Sequence, residues 1–217
     1  MSKLIIILIA ALVASTNAFQ IKNARRSSLS TKAEIIDFKK IASTLLVGAS
    51  LLGANPTTVL ADGIPAVNSP APVFSLPSNL GKDLGTSDLK GSWSVIYFYP
   101  GDFTQGCTIE AQGFERDFSE YEKMGVKILG VSVDSVDKHL DFQKKYGLEF
   151  PLVSDKGGTV SNKYGSLIDL GFVGKFSNRQ TYIVDPKGDV KYVFTDVESS
   201  VAQHSENVLK KLKEIKV

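Results

Sequence analysis

The chemistry that this sequence could carry centres on its one cysteine, Cys107. A lone cysteine is more often a small buried hydrophobe than a catalytic group. Cys107, however, follows a strand-breaking Pro-Gly pair at 100–101 and stands at the start of a predicted helix. Unpaired backbone N–H groups and the helix dipole favour an anion there. Because the thiolate is the nucleophilic form of cysteine, this position predicts a reactive thiol.

The residues around the cysteine suit a small site for a polar substrate. Thr104 can place a hydroxyl near the thiol, and Gly106 lets the backbone approach a substrate closely. Aromatic side chains at Phe98, Tyr99 and Phe103 can supply apolar walls. The loop after a central strand is also where ligands bind in α/β folds.

The elements that must position this loop belong to one predicted α/β domain, residues 62–217. Apolar, β-prone runs predict strands at 73–76, 93–99, 126–133, 150–153, 181–184 and 190–194. Helical periodicity predicts helices from about 107 to 123, and at 136–146, 159–164 and 201–216. Helices that alternate with buried strands indicate a mixed central sheet with helices on both faces. A thioredoxin-like fold has this order of elements, although other α/β folds share the count.

Composition excludes several classes of protein. One cysteine rules out an intramolecular disulfide and zinc sites built on several thiolates. Residues 1–61 carry 7 basic and 2 acidic groups, whereas residues 62–217 carry 18 basic and 21 acidic groups. An acidic body argues against a nucleic-acid partner. We find no phosphate-binding glycine loop and no carboxylate–histidine cluster, so no metal or cofactor is expected. The isolated His139 and His204 are expected on helix surfaces.

The basic N-terminal segment has the composition of a targeting sequence. Residues 1–18 have a basic start, a short apolar run and a small-residue end, as in a signal peptide. Residues 19–40 begin with a basic, hydroxyl-rich and acid-poor stretch, which is typical of an organelle transit peptide. The Ala18-Phe19 junction resembles the cleavage site in algae with complex plastids, so plastid import is predicted.

A second apolar run, residues 41–61, repeats the same pattern and ends in Val-Leu-Ala before Asp62. After a transit peptide, it resembles a segment that targets a protein to the thylakoid lumen. The alternatives are a retained segment that attaches the protein to the thylakoid membrane, a stromal location or a buried helix. Gly48, Gly53 and Pro56 interrupt the run and weaken a membrane-spanning helix.

The stretch from Phe98 to Glu110 resembles the active-site loop of the peroxiredoxins. Pro100, Thr104 and Cys107 fall on that family's Pro-x-x-x-Thr-x-x-Cys pattern. The Phe-Tyr-Pro lead and the Cys-Thr-x-Glu continuation are most similar to the Q-type, or bacterioferritin comigratory protein, branch. Further matches follow in the right order at 74–77, 130–134, 150–155 and 179–185.

The resemblance implies a role for each matching residue. Cys107 would be the peroxidatic cysteine, whose thiolate attacks a peroxide oxygen and becomes a sulfenic acid. Thr104 would hydrogen-bond the peroxide, and Pro100 would shield the thiolate from water. Arg179 occupies the position of the family's late arginine, whose permanent charge can hold thiolate and peroxide oxygens. Together with Gly106, these residues form the predicted catalytic and substrate-binding set.

The implied activity is a thiol-specific peroxidase that reduces hydrogen peroxide and organic hydroperoxides. It would serve antioxidant defence and redox homeostasis in the plastid. The expected partners are a peroxide and a thiol reductant, either thioredoxin or glutathione with glutaredoxin. The expected assembly is a monomer or a weak homodimer, with thylakoid-membrane association as a further expectation. Glu110 also fits the family pattern, as a supporting contact or equally as a residue of the helix surface.

One position departs from the family pattern. Typical Q-type enzymes carry a resolving cysteine five residues after the peroxidatic one, and Gln112 stands there in this chain. Because the chain holds no second cysteine, the sulfenic acid must be reduced by an outside thiol or by Cys107 of another subunit. The alternative is a thioredoxin-fold redox sensor or holdase that does not turn over. The two hypotheses differ in whether Cys107 is recycled.

Overall fold

The computed structural model describes residues 63–216 of the 217-residue chain. These residues lie in one compact unit, Thr58–Val217. The predicted targeting segments at 1–18, 19–40 and 41–61 lie outside the described residues. They remain predictions, and so does the domain boundary at residue 62.

The architecture is α/β, with nine strands and six α-helices in residues 63–216. The strands are β1 (Ser75–Pro77), β2 (Asp83–Gly85), β3 (Trp93–Phe98), β4 (Val126–Ser132), β5 (Leu152–Ser154), β6 (Leu167–Asp169), β7 (Lys175–Ser177), β8 (Gln180–Val184) and β9 (Val190–Phe194). The helices are α1 (Thr86–Leu89), α2 (Gln105–Arg116), α3 (Phe118–Lys123), α4 (Val136–Tyr146), α5 (Thr159–Lys163) and α6 (His204–Ile215). Two short 3₁₀ segments lie at Gly171–Val173 and Glu198–Gln203.

Five strands form the central sheet in the order β5-β4-β3-β8-β9. Strands β3, β4 and β5 run parallel, whereas β8 and β9 add antiparallel neighbours on the other side of β3. The central strand β3 is almost wholly buried, as expected for a strand covered on both faces. The β3/β8 register pairs Phe98 with Gln180. The loop after β3 therefore lies beside the residues that precede β8.

Helices cover both faces of the sheet, so the predicted mixed sheet with helices on both sides is confirmed. One core cluster packs α2, α3, α4 and α6 on the sheet and includes Phe114, Tyr121, Phe142 and Leu212. The second cluster lies on the opposite face and includes residues from the N-terminal hairpin, α1 and α5, with Tyr164 among them. The cysteine belongs to the first cluster.

Two predicted helices are interrupted in the structure. The helix expected to run from Cys107 to Lys123 ends at Arg116, and α3 begins at Phe118. Asp117 lies between them at φ −97° and ψ 3°, and its carboxylate accepts two hydrogen bonds from Arg116. Aspartate is among the weaker helix formers, which is consistent with a break at this position. The C-terminal helix likewise begins only at His204, after the 3₁₀ segment Glu198–Gln203.

The strand predicted at 73–76 overlaps β1, and the short helix predicted at 159–164 is α5, but sequence patterns missed β2, α1, β6 and β7. Strands β1 and β2 pair in one antiparallel hairpin, and β6 and β7 pair in another. The turn of the second hairpin exposes Leu170, Phe172 and Val173. Three-residue strands carry too little alternation to stand out in a sequence. None of the helices in residues 63–216 has both the length and the apolar character needed to cross a bilayer.

Candidate active site

The cysteine lies where the sequence placed it, in the first turn of a helix. Thr104 is the N-cap residue of α2, and Cys107 follows three positions later. The thiol is free and its side chain is only 1% exposed. First-turn N–H groups and the α2 dipole therefore act on a sulfur that is shielded from water.

Arg179 is the cation beside this sulfur. It immediately precedes β8, whose register with β3 brings it to the loop that leads into α2. Its Nη1 and Nη2 atoms both donate to Cys107 Sγ at 3.4 Å. Gly106 keeps this approach open, because a Cβ there would lie 3.0 Å from Arg179 Nη2. The guanidinium thus contacts the sulfur through two donors.

Two carboxylates also accept hydrogen bonds from the Arg179 guanidinium. Glu110, buried in α2, accepts from Arg179 Nη1 at 2.5 Å, and Glu198 accepts from Nε at 2.9 Å. Burial raises the pKa of Glu110 to about 7, although the nearby Arg179 works in the opposite direction. Glu110 therefore has the supporting role that the sequence left open against a place on the helix surface. Glu198 was not predicted as a site residue.

Asp134, which follows β4, stabilises the loop from Pro100 to Thr104 by a hydrogen bond. The Asp102 backbone N–H donates to Asp134 Oδ2 at 2.6 Å, and the Thr104 hydroxyl donates to the Gly101 carbonyl at 3.1 Å. Pro100 is half-buried, while Thr104 remains exposed at the helix start. The predicted residues Pro100, Thr104, Gly106 and Cys107 thus share one continuous segment.

Phe98 and Tyr99 are buried in the core, whereas Phe103 is not. It has a left-handed backbone conformation, with φ 65°, and is substantially exposed. Its ring packs edge-on against Phe142 of α4 with the centroids 5.2 Å apart. A non-glycine residue at positive φ costs free energy, so the surrounding contacts must maintain this conformation.

The expectation that His139 lies on a helix surface is wrong. The side chain is 0% exposed and points from α4 to the loop after β3. Its Nδ1 lies 2.8 Å from Asp102 Oδ2, and its Nε2 lies 3.2 Å from the Val153 carbonyl. The ring therefore joins α4 to the loop after β3 and to β5 through both of its nitrogens. The Tyr99 hydroxyl donates to the other Asp102 oxygen at 2.7 Å.

His204 is also buried, again contrary to expectation. It is the first residue of α6, and its Nε2 lies 2.8 Å from Thr181 Oγ1. Burial and, to a lesser extent, Arg179 lower the pKa of His204 to about 4. A neutral imidazole therefore stands 3.9 Å from Glu110 Oε1, which has no hydrogen-bond partner within residues 63–216.

Sequence reasoning missed three polar residues that support the site: Asp102, His139 and Glu198. Asp102 lies inside the loop that the sequence analysis identified, but its burial and its contact with His139 were not predicted. His139 and Glu198 carry no local signal, since both reach the site from distant elements. Within the part of the chain that the structure describes, no group of three His, Cys, Asp or Glu side chains is arranged to hold a metal ion.

The chain is similar in sequence to known proteins of one family. A family model described as the AhpC/TSA family matches residues 67–193. A bcp peroxiredoxin of Coxiella burnetii is 43% identical over 134 residues, which cover 60% of this chain and 89% of the relative. The chloroplastic peroxiredoxin Q of Triticum aestivum is 35% identical over 173 residues, which cover 80% of this chain and 79% of the relative.

Solved structures share the fold. The bacterioferritin comigratory protein of Xanthomonas campestris, described for its alkyl peroxide reduction activity, superposes with a TM-score of 0.60 at 36% identity. The match covers 65% of this chain and 90% of that chain. The predicted thioredoxin-like fold is confirmed by this similarity.

Replacing His139 by Leu should destabilise the protein by about 1–3 kcal/mol, because the buried Asp102 carboxyl group and the Val153 carbonyl would each lose a hydrogen-bond partner. Urea unfolding followed by circular dichroism measures this loss. The double variant Asp102→Leu, His139→Leu should recover part of it, since the buried carboxyl group is then removed as well. A loss below about 0.5 kcal/mol in the single variant would show that the pair does not stabilise the loop.

Proposed function

The chain belongs to the AhpC/TSA family as a peroxiredoxin of the Q or bcp type, a thiol-dependent peroxidase, and on that premise we propose that Cys107 alone performs its redox chemistry. The observation that carries the proposal is the contact of both Arg179 terminal nitrogens with Cys107 Sγ at 3.4 Å. A guanidinium at this distance stabilises the thiolate, which is the form that attacks peroxide.

The first step is a two-electron transfer. The Cys107 thiolate attacks the terminal oxygen of ROOH, so that an S–O bond forms as the O–O bond breaks. Sulfur is oxidised to a sulfenic acid, and the peroxide is reduced to RO⁻, which takes a proton and leaves as ROH. Arg179 is placed to stabilise the charge as it moves from sulfur to oxygen.

Thr104 and Pro100 have proposed roles in the same step. The Thr104 hydroxyl lies at the exposed end of the α2 N-terminus, where a peroxide would arrive. It can exchange its bond to the Gly101 carbonyl for one to the substrate. Pro100 is half-buried in the same loop. Its ring would limit the access of water to the Cys107 sulfur.

The proposed substrates are hydrogen peroxide and organic hydroperoxides. The Xanthomonas campestris relative, whose structure was described for alkyl peroxide reduction, supports the second class. The proposed assembly is a monomer or a weak homodimer.

Recycling requires a thiol from outside the chain. Gln112 is exposed on α2, and its amide cannot form a disulfide. A first reductant thiol would condense with the Cys107 sulfenic acid to a mixed disulfide and water. A second thiol, from thioredoxin or from glutathione with glutaredoxin, would then release Cys107 and carry away the disulfide.

Location in the plastid is part of the proposal. The basic N-terminal segment supports import, and chloroplastic relatives such as that of Triticum aestivum are consistent with it. The second apolar run, residues 41–61, supports further transfer to the thylakoid lumen. There the enzyme would contribute to antioxidant defence and redox homeostasis.

The recycling proposal predicts several turnovers per subunit with an outside reductant. Peroxide consumption would be followed with thioredoxin and, separately, with glutathione plus glutaredoxin. The Cys107→Ser variant should show no thiol-dependent consumption with either system. A halt after one equivalent of peroxide in the unaltered protein would contradict turnover and support the redox-sensor alternative.

Replacing Arg179 by Gln should slow the reaction of Cys107 with hydrogen peroxide by roughly 100-fold, because the charged donors at the sulfur are lost. Stopped-flow measurement of the first turnover isolates this step from recycling. Arg116→Gln is a matched control, since Arg116 also pairs with two carboxylates but lies in the last turn of α2. Equal rates in all three proteins would remove Arg179 from the mechanism.

The localisation proposal predicts a mature N-terminus near Asp62 in protein purified from isolated plastids. N-terminal sequencing or mass spectrometry of the intact protein measures it. A start near Phe19 would contradict transfer to the lumen, because the second apolar run would then be retained.

A further inference from the structure

Glu198 is the one carboxylate that contacts the Arg179 guanidinium from the solvent side within the described residues. It belongs to the 3₁₀ segment before α6, and its Oε1 accepts from Arg179 Nε at 2.9 Å. The Glu198 side chain is 64% exposed, whereas that of Arg179 is 4% exposed. An anion that approaches Arg179 from solution therefore meets the charge of Glu198.

The charged groups around the Cys107 sulfur disfavour an anionic substrate. One cation, Arg179, faces the Cys107 sulfur, the buried Glu110 and the exposed Glu198. The neutral His204 adds no positive charge. With Cys107 as the thiolate, an incoming anion is repelled by the sulfur and by Glu198, while Arg179 is already paired.

We propose that Glu198 determines the charge of the peroxide that the site accepts, favouring neutral hydroperoxides over anionic ones. The inference rests on the proposed role of Cys107 as the peroxidatic residue. Glu110 does not meet an approaching anion directly, because its side chain is buried and it bonds Arg179 Nη1 on the core side. Glu198 is therefore a specificity-determining residue and takes no part in bond making.

The first test uses alkylation of Cys107, which does not depend on peroxidase activity. Iodoacetamide and iodoacetate transfer similar groups to a thiolate as iodide leaves, but only iodoacetate carries a negative charge. Mass spectrometry of Cys107 gives the two rates in each protein. The measured quantity is the ratio of the iodoacetate rate to the iodoacetamide rate, so any general change in thiol reactivity cancels.

Glu198→Gln removes the charge and keeps an oxygen that can accept from Arg179 Nε, while Glu198→Ala removes both. Glu206→Gln is the matched control. Glu206 is 61% exposed and also accepts from an arginine, Arg116, at 2.9 Å. Arg116 lies nine residues after Cys107 on α2, which is about 13 Å along the helix axis.

We expect both Glu198 variants to raise the alkylation ratio by roughly 3- to 30-fold, the effect of one unit charge several ångströms away. The difference should shrink as salt is added, because exposed charges are screened. An unchanged ratio would overturn the proposal. An equal rise in Glu206→Gln would also overturn it, since the effect would then come from net charge and not from position.

The second test uses peroxides of similar shape. Neutral tert-butyl hydroperoxide and anionic peroxymonosulfate both present a terminal O–OH group on a tetrahedral centre. The ratio of their first-turnover rates should rise in favour of peroxymonosulfate in Glu198→Gln and not in Glu206→Gln. If the alkylation ratio changes but no peroxide is consumed, the proposed peroxidase role of Cys107 fails while the charge effect of Glu198 stands.

Discussion

The buried guanidinium of Arg179 connects the residues of the site. It contacts Cys107 Sγ through two nitrogens and also donates to Glu110 and Glu198. Removing a charged group from water is costly unless its donors are satisfied. The carboxylates meet that requirement, and they also compete with the sulfur for the same cation. The reactivity of the thiol and the charge preference of the site therefore depend on one shared set of hydrogen bonds.

The loop between β3 and α2 is stabilised from the opposite side. Asp102 pairs with His139 of α4 and accepts from Tyr99, while its backbone N–H donates to Asp134. These bonds hold the residue that directly precedes Phe103, which has the left-handed conformation and lies two positions before the start of α2. The N-terminus of the active-site helix is thus fixed by polar contacts to α4 and to the end of β4, two elements distant in sequence.

Because the sequence holds no second cysteine, α2 does not have to unwind to form a disulfide with Cys107. In a two-cysteine relative of this branch, a thiol at position 112 would have to leave the helix to reach the sulfenic acid, because residues five apart lie on different faces. Here α2 continues through the exposed Gln112 as far as Arg116. The stabilised loop between β3 and α2 is compatible with a catalytic cycle in which an outside thiol reduces Cys107. Because Cys107 is buried, the loop or its neighbours must open for that thiol to reach the sulfur.

The amino-acid sequence was enough to predict the α/β class, the central strands and the local segment from Pro100 to Cys107, because these depend on patterns between near neighbours. It also pointed to Arg179, but only through resemblance to a family. The tertiary structure alone decided that His139 is buried beneath the loop and that Glu198 faces Arg179. These contacts join residues 37 and 19 positions apart, and their formation depends on the packing of α4 and on the path of the chain from β9 to α6. Long-range pairing of polar side chains leaves no periodic pattern in a sequence, since only the fold brings the partners together.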